Sequence, residues 1–282
     1  MSSKIALLSD IHGNSPALHA VLNDMQNQEC TKVFMLGDII NGVDPHGCIQ
    51  LLQNWCAKNN AELTCLKGNG EEYLLTPDRN EMPDQDKEWN VDMLNLVQWW
   101  EDHLTHADIE WIRSFHNQLL WNDACLVHDS PIDRLMPESW HKPNIAPKYQ
   151  EWFFHSRGIL PDMPDEEWEK LWDFMDTQNF SVVFCGHTHI PFYKEHAGKR
   201  VINLGSAGAP LDGDPRPSWV LVTESVAGKL DIAIRRVEYD VTLIHDLIDQ
   251  TPDYYDFKDL DFKEAYKKWL ATGIHWKAHI KR

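Results

Sequence analysis

This 282-residue sequence predicts an α/β fold. Two features carry the prediction: short apolar runs alternate with helix-spaced segments through the first half, and a β-rich stretch begins at residue 181. Lys4–Ser9 is a short apolar run of the kind a buried strand shows, and Ser15–Met25 follows with Leu18, Val21, Leu22 and Met25 at helical spacing. Lys32–Leu36 is a second strand, Pro45–Trp55 a second helix and Leu63–Leu66 a third strand. Taken alone, this alternation describes parallel βαβ units in one wound sheet. Thr76–Lys87 is an acidic, proline-bearing loop, followed by helical spacing near Val91–His103 and Asp108–Phe115. Leu119–Val127 reads as two short strands turning at Trp121-Asn122-Asp123, and Ser130–Pro164 as an irregular segment closed by a helix near Glu166–Met175. Strands are expected at Ser181–Cys185, Phe192–His196, Arg200–Leu204, Trp219–Thr223 and Leu230–Val237, then helices at Val241–Leu247 and Phe262–Leu270. Residues 1–282 are read as one domain, with insertions over about 72–118 and 130–178 and a C-terminal helical extension over about 240–282.

Composition narrows the function classes. With 43% hydrophobic and 25% charged residues, the chain has an ordinary globular balance. Forty-four acids against 26 bases give a net charge of −18, which repels a long nucleic acid unless metal ions reverse the local field. No apolar run approaches the ~20 residues that cross a bilayer, and the N-terminus lacks the apolar stretch of a signal peptide. Cys30, Cys48, Cys56, Cys65, Cys125 and Cys185 form no CxxC pair, so they are expected as reduced, mostly buried thiols in a cytoplasmic protein with no membrane partner.

Five polar clusters each follow an apolar strand directly: Asp10-Ile-His12, Gly37-Asp38, Gly68-Asn69, His128 and Gly186-His187-Thr188-His189. In an open α/β sheet the carboxyl ends of strands share an edge, and side chains distant in sequence converge there. The cluster residues offer two carboxylates, four imidazoles and an amide, a set suited to Mn, Fe or Zn. Seven donors exceed the needs of one tetrahedral ion; a pair of ions bridged by a carboxylate is the usual arrangement for phosphoryl hydrolysis. Singly, most of these clusters are common strand-end turns. Their order, each at a strand end, sets them apart.

In these residues the sequence resembles the calcineurin-like metallophosphoesterase superfamily, whose ordered signature is D-x-H, G-D, G-N-H-[DE], H and G-H-x-H. The segments "SDIHGNSPAL", "LGDIINGVDP" and "INLGSAGAPLDGDPRPSW" are similar to its bacterial phosphodiesterase-type branch. The resemblance implies two packed mixed β-sheets, a sandwich flanked by helices, in place of one wound sheet. It also implies that Asp10, His12 and His189 hold one metal, that Asn69, His128 and His187 hold a second, and that Asp38 bridges them. A hydroxide between the ions would attack phosphorus in line, making Asp38, Asn69 and His128 the candidate catalytic residues.

The sequence departs from the signature at Gly70, where the family carries a histidine that assists the leaving oxygen. Glycine has no side chain to provide either a proton or a hydrogen bond. Three readings stay open: a leaving group that needs no acid, as in a phosphoanhydride whose phosphate oxygen has a pKa of roughly 6; a proton from Glu71, His141, His155 or His275; or binding without fast turnover. The ending, with "RRVEYDV" and "ATGIHWKAH", is similar to streptococcal asymmetrical diadenosine tetraphosphate hydrolases, which favours the first reading and a small nucleotide substrate. A broad phosphodiesterase or a protein Ser/Thr phosphatase is the alternative, and a metal-binding sensor is the non-enzyme alternative. Nine of the 13 tryptophans lie between Trp89 and Trp172, where packing is the plainer expectation and base stacking the rarer one. Arg134, Arg157 and Arg216 are possible phosphate clamps, with surface salt bridges the plainer expectation.

Overall fold

The structure, a computed structural model, describes residues 3–76, 87–132, 158–226, 228–251 and 260–275. Strands β1 (Ser3–Leu8), β2 (Lys32–Met35) and β3 (Glu62–Cys65) alternate with helices α1 (Ser15–Asn27) and α2 (Pro45–Asn59). After β3 come α3 (Asn69–Leu75), α4 (Lys87–His103) and α5 (His106–Arg113), then the hairpin β4 (Gln118–Trp121) and β5 (Ala124–Val127). Helix α6 (Asp165–Gln178) leads into β6 (Val182–Cys185), β7 (Phe192–His196), β8 (Lys199–Asn203), β9 (Ser218–Glu224) and β10 (Leu230–Arg236), and α7 (Val241–Gln250) and α8 (Leu260–Thr272) follow. Local sequence explains the boundaries. Asn14 caps α1 by accepting from the Ala17 N–H, Asp44 caps α2 through the Gly47 N–H, and each helix then opens with a proline in its first turn.

The strands form two five-stranded sheets, ordered β10-β9-β1-β2-β3 and β4-β5-β6-β8-β7. In the first, β1, β2 and β3 run parallel out to one edge, with β9 and β10 antiparallel on the β1 side; in the second, a parallel centre of β5, β6 and β8 is flanked by antiparallel β4 and β7. The two packed mixed sheets that the resemblance implies are thus present, in place of the single wound sheet that alternation alone describes. Ile5, Leu7, Phe34, Val220 and Val222 from the first sheet share one buried cluster with Ala124, Leu126, Val182, Phe184 and Ile202 from the second. The intervening residues Ala6, Leu8, Val33, Met35, Cys125, Val127, Val183, Cys185 and Val201 belong to the cluster that includes the helices. Strands covered on both faces read as unbroken apolar runs. Such a run shows that a strand is buried without showing which sheet it joins.

Helix α1 is tied to the first sheet by Asp24, which accepts from the Trp219 indole at 3.0 Å and pairs with Arg235 at 2.7 Å. Helix α6 lies over the second sheet's edge: Trp168 meets Phe192 edge-on with centroids 6.0 Å apart, and Trp172 stacks on His196 at 5.5 Å. Trp99, Trp100, Trp168 and Trp172 are buried, as the packing expectation has it. Trp140 and Trp152, with the side chain of Trp89, lie outside the described residues, as do 77–86 and 133–157 of the expected insertions. No helix among the described residues is long and apolar enough to cross a membrane.

Candidate metal centre

All five polar clusters emerge from the carboxyl ends of parallel strands: β1, β2 and β3 in one sheet, β5 and β6 in the other. Because the sheets pack face to face, those ends meet at one edge of the sandwich. Within it, Asp10, His12 and His189 present donor atoms all within 4.8 Å of one another. Nε2 of His189 lies 3.3 Å and Nε2 of His12 3.8 Å from Asp10 Oδ1. A second trio is tighter: Asn69 Oδ1 is 3.2 Å from His128 Nε2 and 3.1 Å from His187 Nδ1, and the two ring nitrogens are 3.2 Å apart. Asp38 Oδ2 sits between the trios, 3.5 Å from His12 Nε2 and 3.7 Å from His128 Nε2. All seven sequence-predicted ligands are thus brought together in the grouping that the resemblance implies.

The backbone pays a conformational cost for this convergence. Asp10, His12, Asp38, His187 and His189 all adopt left-handed conformations, with φ between 51° and 66°. Such a position costs a non-glycine residue roughly 1–3 kcal/mol and persists where the surroundings over-determine it. Here they do. Asp10 N–H donates to the Gly37 carbonyl at 2.9 Å and His12 N–H to the Asp38 carbonyl at 3.0 Å, locking two strand ends together. His187 N–H donates to Asp10 Oδ2 and Gly70 N–H to Asp38 Oδ1, each at 2.8 Å. At Gly68 an added Cβ would strike the Asp38 carboxylate, so only glycine lets that strand end approach.

The imidazoles are oriented from behind. His128 Nδ1 lies 2.7 Å from the Leu36 carbonyl and His189 Nδ1 2.5 Å from the Ala209 carbonyl. A carbonyl accepts only, so each Nδ1 carries a proton and each Nε2 is the nitrogen left to face the centre and to bind a cation. Electrostatics agree. Burial works against charge on Asp10, but His189 and His12 beside it outweigh burial and hold its carboxyl well below the ordinary range. Asp38 is lowered too, by His128 and His12 against burial. Burial lowers His12 and His128, but the neighbouring carboxylates outweigh it and lift both to about 9. For His187, burial and the His128 charge act together and push it down to about 4. Two buried carboxylates are thus balanced by two imidazolium protons, and cations would replace those protons on the same atoms. Asp10 Oδ1 and His12 Nε2 are buried without a hydrogen-bond partner, as atoms reserved for a cation would be. The donor set fits a pair of divalent ions.

Glu71 has a role that the sequence reading missed. It is fully buried, and its carboxylate accepts from the backbone N–H groups of Asp38 (2.8 Å), Ile39 (2.9 Å) and Gly68 (2.8 Å). With every oxygen committed behind Asp38, it braces the site and is not placed to donate a proton to substrate. Its spacing, Gly68-x-x-Glu71, is that of a helix-capping box and was the available signal. Asn203 was likewise missed. Its Nδ2 holds the Gly186 carbonyl at 2.8 Å and Thr188 Oγ1 at 3.0 Å, fixing the Gly-His-Thr-His turn; its place in the segment "INLGSAGAPLDGDPRPSW" was the available signal.

The other candidates separate clearly. Arg216 is paired with Asp214 through Nη2 at 2.7 Å and with Glu238 at 3.5 Å, the salt-bridge alternative. His275 is buried, its ring 5.4 Å from Trp269, and Trp269 stacks 6.4 Å from His189, so the chain's end returns to the rim of the centre. Arg134, Arg157, His141 and His155 lie outside the described residues.

Residues 4–226 match the model of the calcineurin-like phosphoesterase superfamily domain. An uncharacterized protein of Methanocaldococcus jannaschii is 27% identical over 275 residues, covering 88% of this chain and 93% of that protein. Among solved structures, a metallophosphoesterase from Sphaerobacter thermophilus shares the fold with a TM-score of 0.65 at 21% identity, over 97% of this chain and all of that one (100%). A hypothetical protein from Pyrococcus horikoshii OT3 does so with a TM-score of 0.69 at 22% identity, over 97% and 99%.

Proposed function

Because the chain belongs to the calcineurin-like phosphoesterase superfamily, we propose that it is a two-metal hydrolase of a small nucleotide. The leading substrate is a dinucleoside polyphosphate of the diadenosine tetraphosphate kind, cleaved to a nucleoside triphosphate and a monophosphate. The observation that supports this most is the convergence of seven oxygen and nitrogen donors on one sheet edge, in two trios joined by Asp38. When bound, two ions of the Mn, Fe or Zn type would supply Lewis acidity and a water nucleophile active at neutral pH. Asp10, His12 and His189 would hold one ion and Asn69, His128 and His187 the other, with Asp38 shared.

The protein's own part is positioning. The carbonyls of Leu36 and Ala209 fix the tautomers of His128 and His189. The backbone bonds from Gly70 and His187 hold the Asp38 and Asp10 carboxylates in place. Position 70 has no proton donor, which favours a leaving group that departs as a stable anion, as the inner phosphates of a polyphosphate do. The net charge of −18 favours a compact, metal-bound phosphate over a long nucleic acid. The six cysteines, all free and buried, fit a reducing, cytoplasmic setting.

The test is a panel of diadenosine tetraphosphate, a simple phosphodiester and a phosphomonoester, incubated with Mn²⁺ and resolved by product chromatography. The expected result is triphosphate plus monophosphate from the first, with loss of both turnover and bound metal in Asp38→Asn. Cleavage of the simple phosphodiester with the dinucleotide intact would move the reading to a phosphodiesterase. Full activity in chelator-treated, metal-free protein would overturn it.

A further inference from the structure

The space that a side chain at position 70 would enter is filled. A Cβ built on Gly70 falls onto the Asn41 amide, overlapping Oδ1 and Cγ and reaching within 2.6 Å of Nδ2. The missing side chain of one loop has thus been replaced by a polar side chain from another, three residues beyond Asp38. We propose that Asn41 is the group that meets the phosphate of the substrate on its leaving-group side, as an uncharged hydrogen-bond donor.

Three observations place it there. First, the direction is set by Gly70 itself, which follows the candidate ligand Asn69 and whose N–H is bonded to Asp38 Oδ1 at 2.8 Å. Second, the Asn41 amide is unsatisfied by the protein. Its Oδ1 is buried with no hydrogen-bond partner, and no described residue bonds its Nδ2. A phosphate oxygen accepts only, so it is the unengaged Nδ2 donor that a substrate phosphate would complete, while the buried Oδ1 needs a donor such as a water. Third, the loop carrying it is clamped to the metal edge. Gly13 N–H donates to the Ile39 carbonyl at 3.0 Å and Asp44 N–H to the Gly13 carbonyl at 3.1 Å, and at Gly42 a Cβ would strike the His12 carbonyl oxygen. Asn41 is therefore preorganised between the loops of Asp38 and His12, which is what a transition-state contact requires.

The chemistry differs from that of a histidine. In the hydrolysis, the water oxygen bonds to phosphorus and loses a proton to solvent while the bond to the leaving oxygen breaks, and the electron pair stays on that oxygen. A histidine could protonate it; an amide only donates a hydrogen bond, and the leaving group departs as an anion. Asn41 thereby selects for good leaving groups. This inference rests on the hydrolase reading above and names a specificity-determining residue within it.

The experiment compares wild type, Asn41→Ala, Asn41→Leu and the double variant Asn41→Ala/Gly70→His. The probes are Mn²⁺-loaded protein with aryl phosphodiesters of graded leaving-group pKa, and inorganic phosphate binding by calorimetry. Metal content and Tm are measured in parallel. For Asn41→Ala the expected result is retained metal, weaker phosphate binding and a fall in kcat of about 100-fold that steepens as the leaving-group pKa rises. The double variant, with room for its imidazole, should regain turnover on the poorest leaving groups. Asn41→Leu keeps the branched shape without the polar ends and covers the case in which the alanine variant folds poorly. Unchanged phosphate affinity and unchanged leaving-group dependence in both single variants would overturn the assignment. If wild type cleaves no substrate, the hydrolase reading fails, and phosphate calorimetry still decides whether Asn41 contacts phosphate.

Discussion

Glu71 shows how much of the centre is held by a residue that binds nothing in it. Burial and the Asp38 charge lift its carboxyl to about 7, while the backbone N–H groups of Gly68 and Asp38 favour its ionised form. Three N–H donors sharing two carboxylate oxygens fix the turns before both Asp38 and Asn69. A glutamine there has one acceptor oxygen, so at least one buried N–H loses its partner. Glu71→Gln is therefore expected to lower stability by about 1–3 kcal/mol and to weaken metal retention. Thermal unfolding and metal analysis of the purified variant check this, and an unchanged Tm with full metal content would contradict the bracing role. Residue 70 makes the complementary point. Gly70→His alone inserts a side chain where Asn41 already stands, so it should destabilise rather than restore an acid.

At the scale of elements, the family match ends at residue 226, yet α8 reaches the centre. Trp269 is buried, donates its indole N–H to the Pro210 carbonyl at 2.9 Å and stacks on His189. The neighbouring Ala209 carbonyl fixes the His189 ring, so α8 supports the same short segment that orients this candidate ligand. Trp269→Ala is expected to cost about 3–5 kcal/mol as a large-to-small core change and to loosen the Asp10–His12–His189 trio more than the other. Metal stoichiometry after dialysis is the readout: loss of both ions equally, or of neither, would argue that α8 supports the fold alone.

For the whole molecule, the charge balance at the sheet edge couples metal binding, pH and stability. In metal-free protein His12 and His128 are held up at about 9, above the unfolded value of 6.5. A raised imidazole stabilises the fold fully below its unfolded pKa, and that contribution is lost as pH rises through the folded value. Chelator-treated protein should therefore lose several degrees of Tm between about pH 6.5 and 9. Adding Mn²⁺ near neutral pH should release protons, detected by calorimetry in buffers of different ionisation enthalpy. A metal-free Tm that is flat or rising across that window would show that these imidazoles are not the balancing charges.

The sequence by itself determined the strands, most helices and every candidate ligand. Buried strands announce themselves by apolar runs, and metal chemistry by Asp, His and Asn at strand ends. Asp10, His12, Asp38, Asn69, His128, His187 and His189 were all legible in this way. The resemblance implies two packed sheets, but only the tertiary structure decided which strands join which, because a run buried on both faces carries no record of its neighbours. It alone also revealed Glu71 beneath Asp38, Asn203 beneath the His187 turn and Asn41 in the place of an absent histidine. Glu71 carries one local sign, its spacing from Gly68, but Asp38 lies 33 residues from it and Thr188 lies 15 from Asn203. At such distances no local pattern links partner to partner. Position 70 reads in sequence as a missing group; in space it is occupied, because packing fills a gap from whichever loop lies nearest.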